Sequence, residues 1–224
     1  MGVEKLVDLV FPRFCLRCGE EGSVWCGACA STYRPFAPIA RCPFCEVEGS
    51  NRTCVACREE TFLDGLIACA AYGNPIVREA LTSWKYHADP HMGYVVKSWI
   101  EQMVTFPSHF SGACVTHVPL HMSRRRHRGF DQAEEVARFL AESVGAEHHA
   151  LLVRTTATRS QAQTDHSDRL IGDLDDAFAV TADVPESVIL CDDVYTSGAT
   201  MDAAAKALKQ AGVGVVWGFA VARG

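Results

Sequence analysis

The sequence has no hydrophobic run long enough to cross a membrane. Its 224 residues are 48% hydrophobic, but no stretch approaches the roughly 18 uncharged apolar residues that a spanning helix needs. Glu4, Lys5 and Asp8 interrupt the N-terminal segment, which therefore lacks the apolar region of a secretory signal. We expect a cytoplasmic protein with no membrane insertion, in which thiols stay reduced.

An overall excess of positive charge is also missing. The formal net charge is −6, which argues against a uniformly basic nucleic-acid-binding protein. The charge is uneven, because four arginines lie within residues 124–128, whereas residues 171–224 carry three basic residues and eight acidic ones. A concentrated basic patch in an acidic chain indicates a localised anion site.

Cysteine, by contrast, is abundant and concentrated near the N-terminus. Eight of the eleven cysteines form four Cys-x2-Cys pairs, namely Cys15 and Cys18, Cys26 and Cys29, Cys42 and Cys45, and Cys54 and Cys57. Two such pairs complete a tetrahedral four-thiolate site, so the four pairs predict two structural zinc ions. Four thiolates leave no open coordination position, and catalysis at these ions is not expected.

The way in which the cysteine pairs combine is open from the sequence. Sequential use leaves gaps of seven and eight residues, and interleaved use leaves gaps of 23 and 24. We favour sequential use because each half is then a self-contained ribbon. Disulfides and iron–sulfur clusters are weaker alternatives. The other three cysteines, Cys69, Cys114 and Cys191, lie among apolar residues and are expected to be buried thiols.

The character of the chain changes near residue 60, which predicts two domains, 1–60 and 61–224. The first has a short apolar helix pattern at residues 3–10, followed by a cysteine-rich segment too poor in aliphatic residues for a core without metal. The second alternates predicted strands and helices, which indicates an α/β fold with a parallel sheet flanked by helices. Strands are predicted at 114–120, 150–153, 187–191 and 213–221, and helices at 77–84, 92–103, 133–144 and 201–208.

The most informative segment is an acidic pair followed by a loop of small residues. Asp192 and Asp193 end a predicted strand, and Thr196-Ser-Gly-Ala-Thr200 leads into a predicted helix. Backbone N–H groups, hydroxyls and a helix N-terminus suit a phosphate monoester. Neither Gly-x4-Gly-Lys-Ser/Thr nor Gly-x-Gly-x2-Gly is present. Carboxylates beside a phosphate need sugar hydroxyls or Mg2+ as partners, so the pattern predicts a sugar phosphate.

An arginine-rich segment precedes the predicted helix at 133–144. Taken alone, such a run is more often a solvated surface. Here it leaves the carboxyl end of a predicted strand, where ligands of open α/β sheets bind. Arg124, Arg126 and Arg128 offer bidentate donors that suit pyrophosphate oxygens.

The acidic loop resembles the 5-phosphoribosyl-1-diphosphate (PRPP) motif of type I phosphoribosyltransferases. The shared pattern is an apolar strand, Asp-Asp, an apolar residue, and Thr-Ser/Thr-Gly-Ala-Thr. The resemblance implies that Asp192 and Asp193 hold the ribose hydroxyls. It also implies a cradle for the 5′-phosphate, made by Thr196, Ser197, Gly198, Ala199 and Thr200.

A second resemblance covers nearly the whole chain. Val118-Pro-Leu-His121, followed by Arg124-x-Arg-x-Arg128-Gly-Phe-Asp-Gln-Ala133, resembles the signature of ComF/GntX-like (competence protein F) proteins, associated with DNA-uptake competence in bacteria. That family also begins with a cysteine-rich zinc ribbon and has a Lys-Tyr motif, matched by Lys85-Tyr86. Asp131 replaces the usual Asn, and Met122 the usual Pro.

The family places a mobile active-site loop between Arg154 and Phe178. The resemblance implies that Gln161 and Arg169 in this loop bind substrate. Thr164 departs from the family pattern, in which an aliphatic residue is common, and so do Gly172 and Asp173, where an Asn is expected.

Together these resemblances imply a phosphoribosyltransferase-like protein that binds PRPP and Mg2+ and resembles ComF-family proteins of DNA uptake. Its catalytic residues would be Asp192, Asp193, Arg124, Arg126 and Arg128, and the accepting nucleophile is unidentified. The alternative is a non-catalytic competence factor that binds PRPP or single-stranded DNA. Competence-machinery proteins are further expected partners. A pure zinc-scaffold adaptor ranks last, since it leaves the acidic loop without a role.

Overall fold

A computed structural model describes residues 12–33, 40–87, 90–103, 113–122, 125–126, 129–155 and 177–224. Its helices are α1 (Gly27–Thr32), α2 (Val55–Arg58), α3 (Pro75–His87), α4 (Pro90–Met103), α5 (Gln132–Val144) and α6 (Ala199–Gln210). Its strands are β1 (Gly65–Ala71), β2 (Cys114–His117), β3 (Leu152–Arg154), β4 (Phe178–Val180), β5 (Ser187–Tyr195) and β6 (Val215–Arg223). The predicted helix at residues 3–10 lies outside these ranges.

Four of the strands form one parallel sheet in the order β1-β6-β5-β2. The centre is the pairing of β5 with β6, which runs in register from Ser187 opposite Val215 to Tyr195 opposite Arg223. Parallel strands that are covered on both faces have continuous apolar sequences. Val188–Cys191 is such a sequence. The predicted α/β class, with a parallel sheet flanked by helices, is confirmed.

The two faces of the sheet support separate hydrophobic clusters. Alternate residues of β5 point to opposite sides, so Ile189 and Cys191 pack with α3, α4 and α5. Val188 and Leu190 pack with α6 and the β3–β4 pair. Because the four strands are parallel, their carboxyl ends lie at the same edge of the sheet, between these two layers.

The strands differ from the sequence prediction in three ways. The strand predicted at 150–153 is observed as β3, which pairs antiparallel with β4 instead of joining the parallel sheet. The strand predicted at 114–120 ends at His117, two residues before Pro119, which has no N–H to donate. Strands β1 and β4 were not predicted, because β1 is rich in Ala and Gly and β4 has only three residues.

The cysteine-rich segment packs directly against the sheet domain. Trp25 makes an edge-to-face contact with Trp99 of α4, with ring centroids 5.8 Å apart. Asn74, at the start of α3, donates from Nδ2 to the Tyr33 oxygen over 2.8 Å. The division at residue 60 stays a prediction. Over the parts of the chain that the structure describes, no helix has both the length and the apolar character required to span a bilayer.

The buried His117 generates a prediction about stability. Burial is the main cause that lowers its pKa to about 4; Glu134 opposes this, and Arg125 and Arg138 add to it. His148, 3.1 Å away, also has a lowered pKa, again mainly through burial. The folded state therefore favours neutral His117, whose contribution to stability is complete above about pH 6.5 and is lost as the pH falls towards 4.

We expect His117→Asn to flatten the decline in unfolding free energy between pH 7 and pH 5. The full shift of this group corresponds to a loss on the order of 3 kcal/mol near pH 4. Urea unfolding at several pH values measures this loss of unfolding free energy. His149→Asn is the matched control, because His149 is exposed. Both variants keep all cysteines, so metal release contributes equally to both. Equal pH profiles for the two variants would contradict the assignment.

Candidate functional site

The acidic pair lies inside the carboxyl-terminal half of β5. Asp192 pairs in register with Ala220 of β6, and Asp193 follows it with only 9% of its surface exposed. The N–H of Asp193 donates to Oδ1 of Asp192 over 2.8 Å, and the N–H of Val194 donates to Oδ1 of Asp193 over 2.9 Å. The acidic pair was predicted to lie at the end of the strand, which instead continues two residues further, to Tyr195.

Lys85 provides the positive charge nearest to this pair among the described contacts. Its Nζ lies 3.2 Å from Oδ2 of Asp193, and both side chains are largely shielded from water. Burial is the main cause that raises the pKa of Asp192 well above its usual value, the neighbouring Asp193 carboxylate adds to it, and Lys85 opposes it. These surroundings oppose full ionisation of the pair, and hydroxyl groups or a divalent cation are the partners that would favour it.

The loop after β5 turns sharply into α6. Gly198 is the N-cap of α6 and has a φ of +82°, a left-handed conformation that glycine adopts without steric cost. A β-carbon at this position would also clash with the Tyr195 ring. Thr196 and Ser197 are exposed, and the first turn of α6 follows them. Hydroxyls and a helix N-terminus therefore meet beside the acidic pair, as the sequence predicts.

The arginine-rich segment is anchored at its far end by Asp131. This buried carboxylate caps α5 by accepting from the Ala133 N–H over 3.1 Å, and it also accepts from the Leu120 N–H over 2.9 Å. Burial is the main cause that raises the pKa of Asp131. Asp131 therefore closes the loop between β2 and α5. An asparagine here could accept only through its single Oδ1, whereas Asp131 uses both carboxylate oxygens and so satisfies both N–H groups.

Only part of the predicted anion site falls within the described residues. Arg126 is exposed, and the neighbouring Arg125 pairs with Glu134 over 2.8 Å. Arg124, Arg128, Gln161 and Arg169 lie outside the described residues, as does most of the predicted mobile loop. The structure brings together Asp192, Asp193 and residues 196–200, and the roles assigned to these residues stay predictions.

Sequence reasoning missed the contribution of Lys85. It appeared only as half of a Lys-Tyr family motif, with no chemical role. Its partner Asp193 is 108 residues away in the chain, so no local pattern signals the pair. A conspicuous basic residue at the end of a predicted amphipathic helix is the one available hint.

The eight N-terminal cysteines form two groups, which we name the first cysteine cluster and the second cysteine cluster. The first cysteine cluster contains Cys15, Cys18, Cys26 and Cys29, and the second contains Cys42, Cys45, Cys54 and Cys57. Within each, the four Sγ atoms lie within 4.8 Å of one another. The sequential arrangement is the one that the structure adopts.

The geometry of both clusters fits a four-coordinate ion. The sulfur atoms of Cys18 and Cys26 are 3.7 Å apart, and those of Cys45 and Cys54 are 3.5 Å apart. A tetrahedron with zinc–sulfur bonds of about 2.3 Å has edges of about 3.8 Å. The Cys54 N–H donates to Sγ of Cys42 over 3.4 Å, as expected for a turn that supports a thiolate. Both clusters could therefore hold zinc.

The ionisation of the thiols differs within each cluster. For Cys15 and Cys42, burial opposes ionisation, but backbone N–H groups outweigh it and lower each pKa to about 6. Burial and the neighbouring sulfur atoms raise the pKa of Cys29 and Cys57 to about 12. Since the ligands of a metal must be deprotonated, binding of a divalent ion at either cluster would release protons from its thiols.

Comparison with known proteins gives two relatives. The chain is 26% identical over 207 residues to the competence protein ComFC of Streptococcus pneumoniae, covering 91% of this chain and 90% of that protein. It is 29% identical over 189 residues to ComFC of Bacillus subtilis, covering 82% of this chain and 72% of that protein. This chain is similar to these two ComFC competence proteins over most of its length. The similarity supports the resemblance to the ComF family, while no protein-family model matches the chain.

The geometry of the two cysteine clusters predicts the metal content of this protein. We expect about two zinc ions per purified chain by elemental analysis, because each cluster supplies four sulfur ligands. Cys18→Ser and Cys45→Ser should each lower the content to about one, since each removes an exposed sulfur from one cluster. Cys114→Ser, outside both clusters, is the control and should retain about two. A metal-free chain with eight freely reactive thiols would contradict the assignment.

Proposed function

We propose that this protein binds PRPP together with Mg2+ at the carboxyl ends of β5 and β6. It would act as a phosphoribosyltransferase-like protein. The observation that carries the proposal is the junction of β5 and α6, where a shielded acidic pair, an exposed Thr-Ser step and a helix N-terminus meet within nine residues, 192–200. A sugar phosphate has hydroxyls on one side and a phosphate on the other, and it complements both halves.

Each described residue has a distinct role in this proposal. Asp192 and Asp193 accept hydrogen bonds from the ribose hydroxyls or bind Mg2+, which relieves the repulsion between the two carboxylates. Lys85 orients Asp193 through the 3.2 Å ion pair. Thr196, Ser197, Gly198, Ala199 and Thr200 hold the 5′-phosphate through hydroxyls and backbone N–H groups.

The transfer step needs stabilisation of the departing pyrophosphate. The bond between the anomeric carbon and the pyrophosphate oxygen breaks, and the nucleophile bonds to the same carbon. Arg124, Arg126 and Arg128 would neutralise the leaving group, and Mg2+ would share that charge when bound. Gln161 and Arg169 would close over the substrate and keep water from the reactive carbon. The nucleophile is unassigned.

We further propose that the protein serves the uptake of DNA during competence, in the cytoplasm. The two relatives are both named as competence proteins. Residues 1–60, with two zinc ions, would form a structural module on a phosphoribosyltransferase-like domain of residues 61–224. Proteins of the competence machinery are the partners that this role implies.

Calorimetry tests the sugar-phosphate site. We expect saturable binding of PRPP in the presence of Mg2+, and a loss of affinity of about a hundredfold or more in the double variant Asp192→Asn with Asp193→Asn, because two charge-assisted hydrogen bonds disappear. The matched control, Asp183→Asn with Glu186→Gln, removes the same charge from two exposed residues and should bind like the parent. Equal binding by both double variants would refute the assignment of Asp192 and Asp193.

A second candidate function is favoured by the exposure of Arg126. This side chain presents positive charge to solvent in the arginine-rich segment that follows β2, so the protein could bind single-stranded DNA without transferring phosphoribose.

Release of pyrophosphate from PRPP separates the two functions. For a transferase, we expect release that depends on an acceptor supplied from a panel of amines, nucleobases and single-stranded DNA. For a binding factor, we expect no release, and an affinity for oligonucleotides that falls steeply with salt and weakens in Arg126→Ala. Arg58→Ala, on α2, is the charge-matched control. Acceptor-dependent release would refute the binding-only function, and salt-insensitive or absent DNA affinity would refute the DNA contact.

A further inference from the structure

The candidate phosphate loop, residues 196–200, is connected to the second cysteine cluster by a hydrogen bond of Tyr195, the residue that precedes the loop. Tyr195 is 2% exposed, and its hydroxyl donates to the carbonyl oxygen of Pro43 over 3.1 Å. Pro43 lies between Cys42 and Cys45, inside the first turn of that cluster. The same Tyr195 ring lies against Gly198, where a β-carbon would clash with it. One buried side chain therefore spans from a metal-binding turn to the centre of the loop.

Arg223 reinforces this connection from the end of β6. Its Nη2 donates to the carbonyl oxygens of Cys42, over 2.9 Å, and Pro43, over 3.2 Å. The guanidinium also lies 5.8 Å from the centre of the Tyr195 ring. A buried arginine that donates to two carbonyls of one turn fixes the position of that turn. Since Tyr195 and Arg223 are paired in register, the turn is held by both central strands.

A third connection joins the other side of the cluster to α6. The Asp202 carboxylate, in the first turn of α6, accepts from the N–H groups of Phe62 and Leu63 over 2.7 and 3.0 Å. These two residues follow Cys57 closely, and the Thr61 hydroxyl donates to the Cys57 carbonyl over 2.8 Å. The loop is thus bounded at Tyr195 by a contact with the first turn of the second cysteine cluster, and at Asp202 by contacts with the segment that follows that cluster.

The first cysteine cluster is held differently. It packs against α4 through Trp25 and Trp99, and the Gln102 side chain donates to the Ala30 carbonyl over 2.9 Å. None of the hydrogen bonds described for residues 12–33 reaches residues 195–202. Two clusters of equal ligand number therefore differ in whether they contact the loop, and each serves as the control for the other.

We propose that the second cysteine cluster, when it holds its metal, positions the phosphate loop through Tyr195, Arg223 and Asp202. Tyr195 and Arg223 are positioning residues, since they act on the loop and not on the substrate. Opening of the cluster would release the Pro43 turn, loosen Gly198 and lower the affinity of the loop for phosphate. Part of this inference, the effect on phosphate binding, rests on the proposed function; the effect on the loop itself does not.

Hydrogen–deuterium exchange of the full-length, zinc-loaded protein tests the connection without any ligand. We expect Cys45→Ser to speed exchange of the amides at residues 196–202 by about tenfold or more, since opening of a local structure by 1.4 kcal/mol changes its population tenfold. Cys18→Ser, which opens the first cysteine cluster, should leave these amides within about twofold of the parent. Equal effects of the two variants, or no effect of Cys45→Ser, would overturn the proposal.

Tyr195→Phe separates positioning from the general effect of losing a metal. This variant retains both cysteine clusters and the buried ring but removes the hydroxyl, and Pro43 keeps a donor in Arg223. We expect the zinc content and the melting temperature to stay near those of the parent, while exchange at residues 196–202 rises by about threefold to tenfold. Tyr94→Phe, at an exposed tyrosine on α4, is the matched control. Unchanged loop exchange in Tyr195→Phe would exclude Tyr195 from the connection.

Binding of ribose 5-phosphate measures the consequence for the site. We expect Tyr195→Phe and Cys45→Ser to weaken it, and Cys18→Ser to leave it unchanged. If the parent protein does not bind ribose 5-phosphate, the proposed function fails, while loop exchange still decides the connection. If the parent binds and the three variants bind equally, the positioning role is wrong and the proposed function stands.

Discussion

The structure depends on the parallel pairing of β5 with β6. These two strands form the centre of the sheet, and both hydrophobic clusters are built on their side chains. Their close approach to the surrounding layers requires small residues. Gly218 lies against Met201 of α6 and Leu66 of β1, where a β-carbon would clash with both. A larger residue would force the Met201 and Leu66 side chains to move.

The same pairing fixes the electrostatics at the edge of the sheet. Two carboxylates follow one another in β5, and their side chains lie close enough to interact. Asp193 pairs with Lys85 of α3, while burial and the neighbouring Asp193 carboxylate raise the pKa of Asp192 in spite of Lys85. A carboxyl whose pKa is shifted by burial and by a like charge is common at functional sites. The hydroxyl groups of a ligand or a cation would favour the ionised pair.

The sequence predicts the local units of the chain better than its long-range pairing. The spacing of the cysteines and the Asp192–Thr200 pattern are local signals, and both reappear as compact units. The β3–β4 pairing was not foreseen, because three-residue strands carry little periodicity and their partners lie far apart. The contacts of Lys85 and Arg223 with residues more than a hundred positions away depend on the strand order, which no single segment encodes.

The strand order also has a consequence for how the polypeptide folds. Strand β1 pairs with β6, about 150 residues further along the chain, and β6 is the last of the described strands to be synthesised. Such long-range pairing slows folding, because the chain must lose the entropy of closing a long loop before the stabilising contacts form. During translation the apolar β1 is made well before its partner β6 and stays unpaired until β6 follows. The cysteine turns are closed by short local segments and can already take up metal at that stage. Chelation would then precede assembly of the sheet, and Arg223 would reach a turn that is already formed.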